Sequence, residues 1–354
     1  MEHSLDLTYH WAGFSALVVF VIAYAFVMAE EFTHLRKSKP VVLAAGLIWG
    51  MIAIAYSNTP HYEMVEHEIR HSFLEYTELA FFLLVAMTYI NALEERNVFN
   101  SLKSWLIKNQ FSYRQLFWIT GVLAFFLSPL ADNLTTALVL CAVVVAVGSS
   151  SPKFVGLACV NIVVAANAGG AFSPFGDITT LMVWQAGQLD FLQFFALVIP
   201  SVVNYIIPAS IMHFFVSDHK PDVAETSVTI KYGGKTIILL GLLTIVTAVS
   251  FHNFLHLPPV FGMMTGLAYL QLYSFYIKIS VKDIEEQKYD FFENVARVEW
   301  DTLLFFFGVI LSVGGLGFIG YLEYVSEFMY TDLGATTANV SVSYTHLRAH
   351  ETNV

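Results

Sequence analysis

The apolar residues of this chain come in long runs, not in stripes at helical spacing. A run of roughly 20 apolar residues matches the thickness of a bilayer core. Such runs cover Ala12–Met28, Val41–Tyr56, Phe73–Ala92, Leu116–Pro129, Leu134–Val147, Phe154–Phe172, Phe191–Phe215, Thr236–Phe254, Pro258–Ile277 and Thr302–Tyr321. Only 13% of the residues are charged, against about 25% in soluble domains. Much of the surface therefore faces something other than water. The chain reads as an all-α polytopic membrane protein whose main partner is the lipid bilayer. Hydropathy does not separate full spans from re-entrant half-spans, so both stay open for residues 115–149.

The net charge of −11 says less than the placement of Lys and Arg, which sets orientation. Arg36, Lys37 and Lys39 follow the first run. Arg96, Lys103, Lys108 and Arg114 follow the third. Lys220, Lys231 and Lys235 lie in a central loop, and Lys278, Lys282, Lys288 and Arg297 in a later one. These four loops are expected on the cytoplasmic side. The N-terminus is then outside, with the acidic Asn58–His71 loop. The N-terminal residues lack a basic n-region, so no cleavable signal peptide is expected. Cys141 and Cys159 sit inside apolar runs and read as small core residues. No basic patch points to nucleic acid.

The stretch Glu75-Tyr-Thr-Glu-Leu-Ala-Phe-Phe-Leu-Leu-Val resembles Glu299-Trp-Asp-Thr-Leu-Leu-Phe-Phe-Phe-Gly-Val, 224 residues on. The same offset carries the first run onto Thr236–Phe254 and the second onto Pro258–Ile277. The charge pattern inverts between the two sets: the first run starts outside, whereas its mate starts from a cytoplasmic loop. Inverted repeats are common in secondary transporters, with the site near the midplane. The expected division is a first repeat carrying the ion-site motifs over 1–215, a cytoplasmic linker over 216–235, and a second inverted repeat over 236–340. A tail over 341–354 completes the chain. Its last stretch, Ser343-Tyr-Thr-His-Leu-Arg-Ala-His-Glu-Thr-Asn-Val354, is polar and reads as non-native adapter or vector sequence. The offset places the mate of the motif at Ser128 near residue 352, so the second repeat is expected to be incomplete.

Two polar motifs interrupt the apolar runs. The first is Ser128-Pro-Leu-Ala-Asp132-Asn133-Leu-Thr135-Thr136. A carboxylate at membrane depth costs several kcal/mol unless paired, hydrated or protonated. Pro129 removes a backbone donor and is expected to break the helix. Asp, Asn and Thr offer hard oxygen ligands, which suit Na⁺ or Li⁺. Asp132 also suits the N-cap of the following run, although Ser or Asn would cap without burying a charge. The second motif is Asn167-Ala-Gly169-Gly170-Ala-Phe-Ser173-Pro174-Phe-Gly176-Asp177-Ile-Thr179-Thr180. Three glycines and a proline describe an unwound helix, tolerated at depth only where it lines a cavity. Its Asp177, Thr179 and Thr180 repeat the chemistry of the first motif, and Ser173 adds a further oxygen.

Desolvation and a nearby like charge both favour the protonated form of a carboxylate. A group so placed holds a proton or a sodium ion, but not both well. Competition for the same oxygens then couples the two fluxes. Asp132 and Asp177 are the candidates for this exchange, titrating as a pair. Glu78 either belongs to the proton path or is interfacial, like Glu75. Asn161 either lines the same cavity or makes a helix-to-helix hydrogen bond. Asp301, beside Trp300, reads as an interfacial cap.

The motifs at 128–136 and 167–180 resemble those of the NhaD-type sodium/proton antiporters. That family belongs to the wider ion-transporter superfamily, which includes arsenite and dicarboxylate carriers. The resemblance covers roughly residues 12–340, and Glu299-Trp-Asp-Thr-Leu-Leu-Phe-Phe also fits it. It implies electrogenic exchange of Na⁺ or Li⁺ for H⁺ across the inner (plasma) membrane in alkaline or saline conditions. No cofactor is implied beyond the transported ions, and a homodimer fits such folds. Functional positions are implied at Glu78, Asp132, Asn133, Thr135, Thr136, Asn167, Asp177, Thr179 and Thr180. Members also carry a second Asp-Asn motif in the second half, which this sequence does not show.

Two rival readings remain. An anion carrier for arsenite or a dicarboxylate should place cationic partners at its site, and neither motif contains Lys or Arg. His67-Glu68-Ile-Arg-His71 matches the H-E-x-x-H pattern of zinc proteases, but no third ligand follows at a typical distance. His61, His67 and His71 also suit a pH-sensing loop.

Overall fold

The computed structural model describes residues 6–57, 59–109, 111–148, 151–220, 228–280, 289–332, 334 and 337. Lys282, Lys288 and the 341–354 tail lie outside the described residues. Among the described residues all regular structure is helical, and nine helices are long and apolar enough to cross a membrane. The chain is a multi-pass membrane protein.

In chain order the helices are α1 (Trp11–Met28), a short α2 (Glu30–Thr33), α3 (Ser38–Tyr56), α4 (Tyr62–Glu95), α5 (Val98–Lys108), α6 (Tyr113–Ala131) and α7 (Asn133–Val147). Then follow α8 (Pro152–Gly170), α9 (Ile178–Gln185), a 3₁₀ stretch Phe191–Leu197 leading into α10 (Val198–His213), α11 (Gly234–Leu255), α12 (Pro259–Ser280), a short α13 (Phe291–Ala296), α14 (Trp300–Ile319) and α15 (Tyr321–Glu327). Every apolar run of the sequence falls on one of these helices.

Three local expectations are corrected. α4 has 34 residues, so residues 62–71, expected in an outer loop, are helical. Their apolar stripe is narrow, and the intervening Glu and His residues hide it from a hydropathy average. Val65 is buried, and further along Phe73 and Tyr76 set their rings on Phe307 of α14. Pro129 does not break α6. The helix continues to Ala131 and ends at Asp132. Asp301 does not cap α14, whose N-cap is Glu299. It accepts the Ser38 hydroxyl instead and so ties α14 to the start of α3.

The helices form two compact units. One holds the described residues up to Ala80 and from Glu299 onward. There α3 packs between α1 and α14. Gly308 and Gly315 of α14 lie against Val41 and Ile48, so close that a Cβ on either would overlap α3. This is the small-residue contact that lets membrane helices approach. Trp49 Nε1 donates to Leu311 O across the same contact at 2.8 Å. The packing units cut through the 1–215 and 236–340 ranges, because they follow contact and not sequence repetition.

The other unit runs from Phe81 to Val298. Its centre is α6 packed along α8, flanked by α7 and α10. α6 and α7 form a helical hairpin. Tyr113, at the start of α6, sets its ring 4.3 Å from that of Phe154, at the start of α8. Gly148, at the end of α7, also lies against Phe154. Both legs of the hairpin therefore return to one end of the unit. α7 has 15 residues, about 22 Å of helix, which falls short of a core roughly 30 Å thick.

Candidate functional site

The hairpin turns through a single residue, Asp132, with φ 56° and ψ 161°. That region of backbone space is almost confined to glycine and costs about 1–3 kcal/mol for other residues. A glycine would turn there freely, whereas the residue that stands there carries a carboxylate. Its Oδ1 accepts the Thr135 backbone N–H at 2.8 Å, and its Oδ2 accepts the Thr135 hydroxyl at 2.8 Å. Asp132 thereby caps α7, so the capping role expected from the sequence is met alongside any other. Thr136 follows on the buried face of α7. Its hydroxyl is buried and has no hydrogen-bond partner among the described residues.

The second break lies between α8 and α9. Residues 171–176 form turns, and Asp177 caps α9. Asp177 Oδ1 accepts both the backbone N–H and the hydroxyl of Thr179, each at 2.8 Å. The threonine that Asp177 holds stands two residues on, against three for Asp132, so the chemistry of the first motif repeats at a different spacing. Thr180 donates to Ser173 O and Asp177 O instead. Ser173 is buried and donates to Pro129 O at 3.0 Å, which binds the α8–α9 break to the end of α6.

Asn133 brings the two breaks together. Its Nδ2 donates to Asn167 Oδ1 and to Asp177 Oδ2, each at 2.9 Å, and its backbone N–H donates to Gly176 O at 3.0 Å. The N-terminal ends of α7 and α9 consequently meet at one cluster of Asp132, Asn133, Thr135, Asn167, Asp177 and Thr179. Positive helix-dipole ends and capped carboxylates face each other there. Asp132, Asn133, Asn167 and Asp177 are all partly accessible, while Thr179 is exposed. Carboxylate, amide and hydroxyl oxygens are the hard donors a small monovalent cation takes.

The close approach that makes this possible rests on glycine. A Cβ at Gly169 would overlap the backbone of Phe125 in α6, and Gly170 and Gly176 lie against each other across the break. Ser128 adds a tie that sequence reading did not single out, donating to Ala166 O at 2.6 Å. Its signal was a small hydroxyl one residue ahead of Pro129. Asn161 makes the helix-to-helix bond, with Nδ2 on Phe117 O at 2.9 Å. Its Oδ1 has no partner among the described residues.

Glu78 belongs to the first unit, half-buried on α4. Glu75 is exposed and lies 3.7 Å from His71 Nδ1. The H-E-x-x-H residues His67, Glu68 and His71 sit on α4, with both histidines exposed. Among the described residues no three His, Cys, Asp or Glu side chains gather as metal ligands would.

Carboxylates at helix breaks inside a many-span bundle are how secondary transporters hold ions at membrane depth, and fold and cluster together define that class here. The profile of the citrate transporter family matches residues 11–347. The chain is 52% identical to the Na⁺/H⁺ antiporter NhaD of Vibrio cholerae, over 96% of this chain and 76% of that protein. It is 51% identical to the NhaD antiporter of Alkalimonas amylolytica, over 95% and 74% of the two chains, and 50% identical to that of Halomonas elongata, over 95% and 72%. The chain belongs to the NhaD family of Na⁺/H⁺ antiporters, which are secondary transporters and not enzymes.

Proposed function

We propose that this chain exchanges Na⁺ or Li⁺ for H⁺ across the membrane, with the exchanged ions competing at Asp132 and Asp177. The observation that carries the reading is the Asn133 side chain, bonded at once to Asn167 and Asp177 one residue from Asp132. It makes one site of two helix breaks. Thr135, Thr136, Asn167, Ser173, Thr179 and Thr180 supply neighbouring oxygens. Glu78 is proposed separately, as a group on the proton path. The family profile is described by citrate, but two carboxylates and no Lys or Arg at 128–136 and 167–180 would repel a tricarboxylate.

The positive segments at 36–39, 96–114 and 231–235 favour an outside N-terminus in a plasma membrane. An inverted repeat is favoured by the starts of α11 and α12, which lie within one helical turn of the 224-residue offset from α1 and α3. The test is dissipation of a proton gradient in everted vesicles on adding NaCl, LiCl, KCl or citrate at pH 7 to 9. Sodium- and lithium-driven dissipation is expected, and Asp132→Asn and Asp177→Asn should each abolish it. A response to citrate alone, or full activity in both variants, would overturn the reading.

A further inference from the structure

At the far end of the second unit from the Asp132–Asp177 cluster, α6 begins where α10 ends. A cavity of about 660 Å³ opens between them. Its charged walls are Arg114, Lys220 and Asp218, and its apolar walls include Phe111, Trp118 and Ile119. Asp218 is already engaged, accepting the Ser112 hydroxyl at 2.8 Å and facing Arg114 Nη1 at 4.0 Å. Arg114 donates one Nη2 bond to Val216 O at 3.2 Å, while its Nε is buried without an acceptor among the described residues. Lys220 is exposed and has no ion-pair partner among the described residues. His213 accepts the Trp118 indole N–H at Nδ1, 3.0 Å, so a neutral His213 carries its proton on Nε2 and is a further donor.

The cavity is therefore rich in donors and positive overall. It would repel a sodium ion, so it is not a cation vestibule. Its surroundings say what it would accept. α5 is amphipathic, with Leu106 and Ile107 buried, Trp105 exposed and Lys103 and Lys108 alongside. The Trp105 ring lies 5.9 Å from that of Phe111, on the cavity wall. Exposed Trp beside Lys on an amphipathic helix marks the level of the lipid headgroups. A phosphate oxygen needs fixed cationic donors, and the acyl chain below it needs an apolar wall. Both stand side by side here.

We propose that this cavity binds the phosphate of an acidic phospholipid, with Arg114 and Lys220 on the phosphate oxygens and the acyl chain along Trp118 and Ile119. The inference rests on the membrane placement under Proposed function, not on the exchange chemistry. The experiment uses the purified full chain in detergent. Retained phosphatidylglycerol is measured by native mass spectrometry, and thermal unfolding is followed with added phosphatidylglycerol, phosphatidylcholine or sodium phosphate. Phosphatidylglycerol should be retained and should raise the unfolding temperature, whereas phosphatidylcholine and phosphate should do neither.

The double variant Arg114→Gln/Lys220→Gln should weaken retention about thirtyfold. Lys220→Glu, at an exposed side chain, should weaken it without touching the α6–α10 contacts. Arg36→Ala/Lys39→Ala, basic residues of the other unit, should not. Undiminished retention in both cavity variants, or stabilisation by phosphate alone, would overturn the proposal. Na⁺/H⁺ exchange by the same preparations in phosphatidylcholine vesicles reports separately on the antiporter reading and on the integrity of the variants.

Discussion

Gly169 and Gly156 lie on the same helix, α8, and should respond oppositely to the same substitution. A Cβ at Gly169 would stand 2.8 and 2.9 Å from the carbonyl carbon and Cα of Phe125, and closer still to its oxygen. Carbon atoms prefer about 3.5–4.0 Å, so α6 and α8 would have to part by about 0.7 Å or more. No flexible side chain can give way, because the obstacle is backbone. Overpacking of this kind costs about 1–3 kcal/mol, and at roughly 2–4 °C per kcal/mol Gly169→Ala should lower the unfolding temperature by about 2–12 °C. The same parting stretches the Ser128–Ala166 and Ser173–Pro129 bonds, now 2.6 and 3.0 Å, toward the point where they cease to count. Exchange should fall with stability. A Cβ at Gly156 meets nothing within 4 Å, and alanine is the better helix former by about 1 kcal/mol, so Gly156→Ala should be neutral or mildly stabilising. The assay is thermal unfolding in detergent beside exchange in vesicles, both variants measured together. Equal behaviour of the two would refute the claim that backbone approach at Gly169 builds the site.

Asn133→Ala removes both side-chain bonds that join the breaks, keeping only the backbone bond to Gly176 O, and should cost about 1–3 kcal/mol. The concentration of Na⁺ giving half-maximal exchange should rise about tenfold, and an unchanged value would take Asn133 out of the site. Asp132→Gly should relieve the strained turn while losing only a few tenths of a kcal/mol of capping. Its unfolding temperature should match or exceed the parent's although exchange is lost; a large fall would show that the carboxylate is chiefly structural.

The spans were readable in the sequence because lipid demands unbroken apolar length, and α1, α3, α8, α11, α12 and α14 begin within three residues of their apolar runs. The N-terminal part of α4 was not, since Glu63, Glu66, His67 and Arg70 dilute the stripe of Val65 and Ile69. Nor was α5, lost among its lysines, though Val98, Leu102 and Leu106 recur every fourth residue. Both motifs of the candidate site were legible as polar interruptions between apolar runs. Their meeting was not, because nothing local says that the Asn133 amide reaches Asn167 and Asp177. Pro129 drew attention as the breaker, whereas the break belongs to Asp132, whose backbone no simple propensity would place at positive φ.

Each carboxylate of the cluster is held by its own threonine through one backbone amide hydrogen and one hydroxyl hydrogen, and the two differ in kind. The amide hydrogens of Thr135 and Thr179 are fixed by their helices. The hydroxyl hydrogens swing about the Cβ–Oγ bond in picoseconds to nanoseconds. On the proposed site, an arriving cation would turn both hydroxyls from donor to acceptor while both helix caps stay closed. On that site the traded proton is the one that leaves the carboxyl group; the hydroxyl hydrogens stay on their oxygens and only turn aside to free the carboxylate oxygens for the cation.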